Sequence, residues 1–420
     1  MIRNVICTLI GLPLLIYAGY AVILGLFTFR RRSPIPRAQR DSRLCVLCPA
    51  RNEEAVIGTL IDSLLAQNYP RDRFDVYVLP NHCTDRTEQI ARARGARILP
   101  IGEDVRTKGD VLRQAFERLR AAHYDAFAIF DADNIVHPDF LARVNDALCA
   151  GYDVVQGYRD SKNPQDTWIS GDCSIYYWLL NTFFYRARMN IGASSGLNGT
   201  GMVIGARALD RVGYDVSSLT EDIEFSILCA LGGVRIAFAE EAIFFDEQPL
   251  ELSESFKQRK RWSVGCNQCL GRYGLRLLGG LFRPGRIACA DALLVATAPT
   301  IQILLMAASL VMAASMTFGR YPDVLSGAFL ITFSLLSGLL SYLAQVCVAL
   351  WVVAISQKSV RLYLLAAATF PLFLLTWLPV NLLALLCPHA HWDPIRHGGT
   401  VRRSWWRRKL ARVRVGRDRS

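Results

Sequence analysis

Four long stretches without a charged side chain constrain this chain more than any other feature of its sequence. They cover residues 5–29, 292–318, 324–357 and 362–388. Because about 20 apolar residues in a helix cross a hydrocarbon core of about 30 Å, each stretch predicts a membrane-spanning helix. The hydrophobic content of 52% agrees with this interpretation. The sequence therefore predicts a membrane protein with a polar middle, and excludes an ordinary soluble enzyme.

Basic residues beside the first apolar stretch predict its orientation. Three arginines follow it at positions 30–32, whereas only Arg3 precedes it. By the positive-inside rule, residue 30 onward lies in the cytoplasm. Three further crossings would then place the carboxyl-terminal tail outside, whereas a re-entrant or interfacial segment over 362–388 would keep it inside. Both arrangements give a multi-pass protein of the plasma or inner membrane.

The net charge of +12 does not indicate a nucleic-acid-binding surface. Residues 401–420 hold nine Arg or Lys and one Asp, so most of the excess positive charge lies in this tail. A basic tail beside a membrane is typical of attraction to anionic lipid headgroups. The rest of the chain carries too little positive charge for a nucleic-acid cleft, and membrane lipids are the expected partner instead.

The twelve cysteines are scattered through apolar stretches and predict free thiols in a reducing compartment. Cys45 and Cys48 spell C-x-x-C, as do Cys266 and Cys269, which raises the question of a zinc site. On a strand, however, residues three apart face opposite sides. Buried thiols are therefore the preferred interpretation.

Residues 42 to about 250 alternate β-rich and helical patterns. Strands are predicted over 43–49, 74–79, 97–99 and 126–130, and helices over 53–67, 84–94 and 108–120. Such a βαβ series predicts an α/β fold with a mostly parallel sheet and helices on both faces. Ligands of this fold class bind at the carboxyl ends of the strands.

Polar residues follow three of the predicted strands, over 51–54, 81–85 and 131–134. Since carboxyl ends of parallel strands meet at one edge of a sheet, we expect these residues to share a crevice. Asp131 and Asp133 repel each other unless a cation or a hydrogen-bonding ligand lies between them. A divalent metal on a diphosphate would satisfy both carboxylates, although the same pattern by itself also forms turns and helix caps.

Two further motifs follow in order, Thr220-Glu221-Asp222 and Gln258-Arg259-Lys260-Arg261-Trp262. Together with Pro-Ala-Arg-Asn-Glu at 49–53, Cys-Thr-Asp at 83–85 and the Asp-x-Asp pair, this order resembles the family 2 glycosyltransferases. It resembles in particular the membrane-integrated polysaccharide synthases, which include cellulose, chitin and hyaluronan synthases. The resemblance covers residues 42–285 by motif, and it implies a GT-A-type, Rossmann-like domain with flanking transmembrane and interfacial helices.

The resemblance implies a role for each matching carboxylate. Asp133 would hold Mg²⁺ or Mn²⁺ on the diphosphate of a nucleotide sugar, and Asp131 would contact the metal, the nucleotide or the donor sugar. Asp222 would be the general base that deprotonates the acceptor hydroxyl, while Glu221 would support its loop. Inverting transfer needs a base on the acceptor side and a metal on the leaving-group side, which this separation suits.

By resemblance, Glu53 and Lys108 also belong to the nucleotide site, Lys108 as a cation near phosphate. Many relatives have an acidic residue at the end of the second strand that contacts the base. Here Asn81 stands at that place, and Asp85 is the nearest carboxylate, so both are expected to contact the nucleotide sugar. Lys108 could instead be a solvated residue at the start of a helix.

Gln258, Arg261 and Trp262 resemble the Q-x-x-R-W element, which favours a polymerising enzyme. The Trp would supply a flat apolar face for a sugar, and the Arg would neutralise diphosphate. The alternative is that Trp262, beside several cationic side chains, anchors an amphipathic helix at the membrane interface.

We predict five segments along the chain. They are a transmembrane helix over 1–30, a cytoplasmic GT-A domain over 42–252, interfacial amphipathic helices over 253–285, a transmembrane bundle over 286–390, and a loop with a basic tail over 391–420.

The predicted reaction is inverting, metal-dependent transfer of a hexose or N-acetylhexosamine from a nucleotide sugar, expected to be a UDP-sugar, onto a growing polysaccharide. A second copy or an accessory subunit is a further candidate partner. One alternative changes the acceptor to a polyisoprenoid or glycerolipid that receives a single sugar. Another is a non-catalytic protein that binds a nucleotide or a partner, which the joint presence of Asp131, Asp133 and Asp222 disfavours.

Overall fold

A computed structural model describes residues 2–30, 33–283, 286–318 and 324–388. Within these ranges, a β-sheet with covering helices is followed by long apolar helices. The predicted loop and basic tail fall on residues 389–420, outside the described residues.

The strands of the described residues form a single sheet. They are β1 (Leu44–Ala50), β2 (Phe74–Pro80), β3 (Arg97–Ile98), β4 (Ala126–Ile129), β5 (Ile135–Val136), β6 (Val154–Ser161), β7 (Met202–Gly205) and β8 (Ile236–Asp246). Their order is β3-β2-β1-β4-β7-β6-β8-β5. β1 is parallel to β2 and β4, and β6 to β8, whereas β7 is antiparallel to both of its neighbours. The predicted α/β fold with a mostly parallel sheet is confirmed.

The helices of the same ranges cover the sheet and continue beyond it. They are α1 (Ile2–Phe27), α2 (Ile57–Leu65), α3 (Thr87–Ala93), α4 (Lys108–Leu119), α5 (Phe140–Cys149), α6 (Trp168–Leu179), α7 (Ala187–Asn190), α8 (Ala206–Val212), α9 (Glu221–Gly232), α10 (Leu252–Gly280), α11 (Arg286–Phe318), α12 (Val324–Ile355), α13 (Leu364–Leu375) and α14 (Trp377–Leu386). A π-helical segment, Leu180–Arg186, joins α6 to α7.

β1 shows why the sheet is buried on both faces. Its residues form a continuous apolar run, as expected of a strand with helices on either side. Val46 and Cys48 pack into one hydrophobic cluster, and Cys45 and Leu47 into the other. The cysteines that the sequence placed on opposite faces are therefore in different clusters. The eleven cysteines whose side chains the structure describes are free thiols, as predicted.

Two helices begin later than the sequence predicts. α2 starts at Ile57 instead of residue 53, because Asn52 adopts a left-handed conformation with φ 58° and its side-chain oxygen accepts a hydrogen bond from Thr84 N–H at 2.7 Å. α3 starts at Thr87 instead of residue 84, because the Asp85 carboxylate accepts the Thr87 N–H at 3.0 Å. These interactions hold both loops at the edge of the sheet.

α10 is one continuous helix of 29 residues, where the sequence predicts several amphipathic helices over 253–285. At 1.5 Å per residue it is about 44 Å long. It packs against α9 at the edge of the α/β domain and against α11 and α14 of the apolar group. α10 therefore connects the sheet domain directly to the apolar helices.

Three helical stretches are long and apolar enough to cross a membrane, namely Ile287–Ala308, Ser334–Ile355 and Val360–Leu386. The last is interrupted at Thr376, between α13 and α14. Pro379 explains the break, because its ring lacks an N–H and excludes the carbonyl oxygen four residues earlier. α1 covers most of the first stretch that the sequence predicts to span a membrane. That α1 crosses a membrane stays a prediction.

Candidate active site

The carboxyl ends of three parallel strands open into one cavity. Glu53 follows β1, Asn81 follows β2, and Asp131 and Asp133 follow β4, and all four residues line it. The cavity has a volume of about 1670 Å³ and continues from the strand ends to α1, α11, α13 and α14. The structure thus brings the predicted strand-end residues together and joins them to the apolar helices.

Lys108 lies inside this cavity instead of in solvent. It is the first residue of α4, whose preceding Thr107 forms a capping box with Asp110. Its ammonium group contacts Asp131, donates to the Gly199 carbonyl at 2.7 Å and lies 3.7 Å from a Glu221 carboxylate oxygen.

The carboxylates around Lys108 keep it charged. Burial lowers the pKa of Lys108, but Asp131 and Glu221 outweigh burial, so the pKa lies above its ordinary value. The site therefore presents a permanent cation at neutral pH, next to the carboxylates that follow β4.

Asp131 and Asp133 offer the oxygen ligands that Mg²⁺ and Mn²⁺ prefer. The Asp131 backbone N–H donates to Thr200 Oγ1 at 3.0 Å, and Lys162 donates to the Asp133 carbonyl at 2.7 Å, so the turn that carries them is held from both sides. The described residues contain no group of three or more His, Cys, Asp or Glu arranged to hold a metal. One or two carboxylates suffice where substrate phosphates complete the coordination, and these residues fit that kind of site.

Asp222 is a partly buried carboxylate that lines the cavity. It lies in the first turn of α9, where the Ile223 N–H donates to it at 2.9 Å. Burial, followed by the like charge of Glu221, raises the pKa of Asp222 to about 7, with Lys108 and Arg261 acting in the opposite direction. A carboxylate with such a pKa can take up a proton near neutral pH, as a general base must.

Gly199 allows the β4 side and the α9 side of the site to approach each other. Its φ of +82° is unfavourable for other residues, and a Cβ there would lie 3.4 Å from the Asp222 carboxylate. Its carbonyl accepts the hydrogen bond from Lys108. The backbone of Gly199 thus lies between Asp222 on one side and the Lys108–Asp131 pair on the other.

Gln258, Arg261 and Trp262 lie on α10 and line the same cavity. Arg261 donates to the Leu219 carbonyl at 3.2 Å, in the loop that leads to Asp222. The Trp262 ring lies 6.4 Å from Tyr177 and 6.3 Å from Trp377, centroid to centroid. Tyr177, Trp262 and Trp377 thus form an aromatic wall of the cavity.

Asp85 does not line the cavity, in contrast to the expectation that it contacts the nucleotide. Its carboxylate accepts hydrogen bonds from Thr87 N–H, Thr87 Oγ1 and Glu54 N–H at 3.0, 2.6 and 3.0 Å. Burial opposes these hydrogen bonds, but they prevail and lower the pKa of Asp85. Asp85 therefore orders the two loops, whereas Asn81 faces the cavity.

Sequence reasoning missed Arg159, which lines the cavity from β6. It forms an ion pair with Asp246 at the end of β8 and lies over the Tyr177 ring, 3.8 Å from its centroid. Asp246 also accepts from Asn134 at 2.7 Å, so this buried pair supports the turn of Asp131 and Asp133. Arg159 and Asp246 each lie near the end of a strand, and no local sequence pattern connects the two strands.

Comparison with known proteins gives concordant matches. Residues 42–265 match the family described as "Glycosyltransferase like family 2". A beta-monoglucosyldiacylglycerol synthase of Synechocystis sp. is 26% identical over 229 residues, which are 53% of this chain and 47% of that protein. A probable glucomannan 4-beta-mannosyltransferase of Oryza sativa is 25% identical, over 52% of this chain and 44% of that protein. The chain spans about half the length of these relatives.

A solved structure covers more of the chain. The mannosyltransferase PcManGT from Pyrobaculum calidifontis, in complex with GDP-Man and Mn²⁺, superposes with a TM-score of 0.58 and 21% identity. The match covers 88% of this chain and 97% of that one. The two proteins therefore share a fold that extends beyond the sheet domain.

Proposed function

The chain belongs to glycosyltransferase-like family 2, and from this premise we propose that it transfers one sugar from a nucleotide sugar to the hydroxyl of a membrane lipid. Family membership gives the glycosyltransferase activity and the nucleotide-sugar donor, and the GT-A-type fold is confirmed with it. Five further points are our proposals. They are the lipid acceptor, the inverting course of the reaction, its metal dependence, the preference for a UDP-sugar and the cytoplasmic position of the sheet domain.

One observation supports a lipid as the acceptor. The cavity that contains Asp131, Asp133 and Asp222 is continuous with an apolar space between the long helices. Its lining there includes Leu24, Phe183, Leu294, Val295, Leu374 and Leu378. Such a surface favours hydrocarbon over hydrated sugar. A lipid lying between these helices would present its head to Asp222.

In the proposed reaction, the acceptor oxygen forms a bond to the anomeric carbon while the bond from that carbon to the diphosphate breaks. Asp222 accepts the proton of the acceptor hydroxyl, and Glu221 keeps the pKa of Asp222 suited to that task. Lys108 neutralises part of the charge on the leaving diphosphate. Asp131 and Asp133 would hold Mg²⁺ or Mn²⁺, which would supply further charge neutralisation to the leaving diphosphate.

Known proteins support parts of this proposal. The Synechocystis relative is named for a glycosylated diacylglycerol, and the Pyrobaculum structure holds a nucleotide sugar together with Mn²⁺. Because the first covers half of this chain and the second is 21% identical, the proposal depends on the geometry of the cavity.

Extension of a polysaccharide is the second candidate, and it corresponds to the resemblance to polysaccharide synthases. The wall of Trp262, Tyr177 and Trp377 favours it, since aromatic faces bind sugar rings. The Oryza relative is named as a glucomannan mannosyltransferase. The branch of cellulose, chitin and hyaluronan synthases stays a prediction.

Product analysis distinguishes the candidates. The purified full chain, reconstituted in lipid with Mn²⁺, is supplied with UDP- and GDP-sugars, and its products are separated into lipid extract and glycan. We expect one sugar on a lipid, with roughly 100- to 10,000-fold lower turnover for Asp222→Asn. A long glycan would establish the second candidate, and donor binding without any transfer would favour the non-catalytic alternative.

A further inference from the structure

Each of the three helical stretches that could cross a membrane carries one amide side chain, and all three amides line the cavity. Gln302 lies in Ile287–Ala308, Gln345 in Ser334–Ile355 and Asn381 in Val360–Leu386. Polar side chains are unfavourable within a bilayer and are rare where they have no role. Their common direction therefore indicates that the cavity accommodates hydrogen-bonding groups as well as hydrocarbon.

Two of these amides are held in fixed orientations. Asn381 is fully buried, accepts from the Ser263 hydroxyl at 2.6 Å and donates to the Gln302 side-chain oxygen at 2.7 Å. The oxygen of Gln302 is thus engaged, and no described residue accepts a hydrogen bond from its amide nitrogen. Gln302 therefore presents an oriented N–H donor to the cavity, which suits a ligand with acceptor oxygens.

α10 contacts both the pair of amides and the loop that leads to Asp222. Ser263, which contacts Asn381, and Gly265 lie within one turn of α10. A Cβ at Gly265 would lie 2.3 Å from Thr220 Oγ1, two residues before Asp222, so this turn touches the catalytic loop. Each residue of a helix adds about 1.5 Å and a rotation of about 100°, so the two contacts lie at nearly the same height of α10 but on roughly opposite sides of it. Trp262 and Cys266, which line the cavity, lie between these two sides.

We propose that Gln302, oriented by Asn381 and Ser263, binds an ester carbonyl of a glycerolipid acceptor. A glycerolipid with a free hydroxyl carries an ester on the neighbouring carbon, so its carbonyl lies near the reacting oxygen. A polyprenyl phosphate has no ester carbonyl, and beyond its phosphate group it offers only hydrocarbon. This inference rests on the proposed function and adds the class of lipid to it.

The test compares acceptors that differ only in the ester. The purified full chain, in nanodiscs with its active nucleotide sugar and Mn²⁺, is given 1,2-diacylglycerol, the 1,2-dialkyl ether analogue or a polyprenyl phosphate. We expect kcat/KM for the diester to exceed that for the diether by about tenfold, the effect of one hydrogen bond. Equal values, or a preference for the polyprenyl phosphate, would overturn the inference and leave transfer to lipid standing.

Two variants test whether the Gln302 side chain causes the preference for the diester. Gln302→Leu is expected to raise KM for the diester to the diether value, with diether kinetics and donor KM unchanged. Thr297→Val is the matched control, because the Thr297 hydroxyl bonds to its own helix at the Leu293 carbonyl and does not line the cavity. An equal loss on both acceptors in Gln302→Leu would indicate a structural role and contradict the inference. Absence of any glycolipid from the wild-type chain would overturn the proposed function, and this inference with it.

Discussion

Replacing Glu221 by Gln should shift the pH dependence of the reaction to lower pH. Asp222 works as a base only when ionised, so activity falls as the pH drops through its pKa of about 7. Burial is the largest cause of this raised pKa, and the charge of Glu221 is the next. Removing that charge leaves burial in place and lowers the pKa of Asp222.

Coulomb's law gives the size of the shift. Two carboxylates roughly 7 Å apart repel by about 2 kcal/mol at an effective dielectric constant of about 20. One pKa unit corresponds to about 1.4 kcal/mol, so the acid limb of kcat/KM should move down by about one to two pH units. At pH values on the acid limb of the wild type, where Asp222 of the wild type is largely protonated, the variant should be more active than the wild type.

The assay is release of nucleoside diphosphate at subsaturating acceptor over a range of pH. Glu117→Gln, which removes an exposed carboxylate from α4, is the matched control and should leave the limb in place. An acid limb that stays put or rises in Glu221→Gln would refute the assignment of Asp222 as the titrating base. If the residual activity of Asp222→Asn still falls at acid pH with the same pKa, that result would also refute the assignment of Asp222 as the titrating base.

Three further predictions address the donor side and the fold. Lys108→Met should move the same acid limb to higher pH, because a favourable charge is lost, and should raise the donor KM about tenfold or more in steady-state kinetics. Chelation with EDTA should abolish turnover and Mn²⁺ restore it, with Asp133→Asn needing at least about tenfold more Mn²⁺ for half-maximal activity in a titration. Gly201→Ala should lower the free energy of unfolding by at least about 2 kcal/mol, since φ is +56° and a Cβ would lie 2.0 Å from a phenyl carbon. Gly213→Ala, with φ +68° and open space, isolates the backbone part of that cost in denaturant unfolding.

The strands β1 to β4 could be predicted from the sequence because their signal is local. β1, β2 and β4 are short apolar runs that end at polar residues, and the predicted bounds differ from the observed ones by at most one residue. The starts of α2 and α3 were missed because residues distant in sequence fix them. Asn52 binds the loop of Thr84, and Asp85 binds the backbone of Glu54. No pattern within a single segment contains that information.

The same distinction applies to the site. Asp131, Asp133 and Asn81 could be assigned to one crevice, because parallel strands bring their carboxyl ends to one edge. Arg159 could not, since its partner Asp246 lies on another strand, at the far end of the domain sequence. The direction of an amide such as Gln302 was equally inaccessible, because a uniformly apolar helix gives no periodicity from which to infer a buried face.

α10 contacts both the break between α13 and α14 and the loop that leads to Asp222, through two arginines that lie two residues apart. Arg259 is buried and donates to Thr376 Oγ1 at 2.7 Å, at the break between α13 and α14, where the carbonyl end of α13 favours a cation. Two residues later, Arg261 donates to Leu219 beside the catalytic loop. The same stretch of α10 therefore contacts both the break between α13 and α14 and the loop of Asp222. Under the proposed function, an acceptor between the apolar helices would lie against the helix that also contacts the loop of the proposed base.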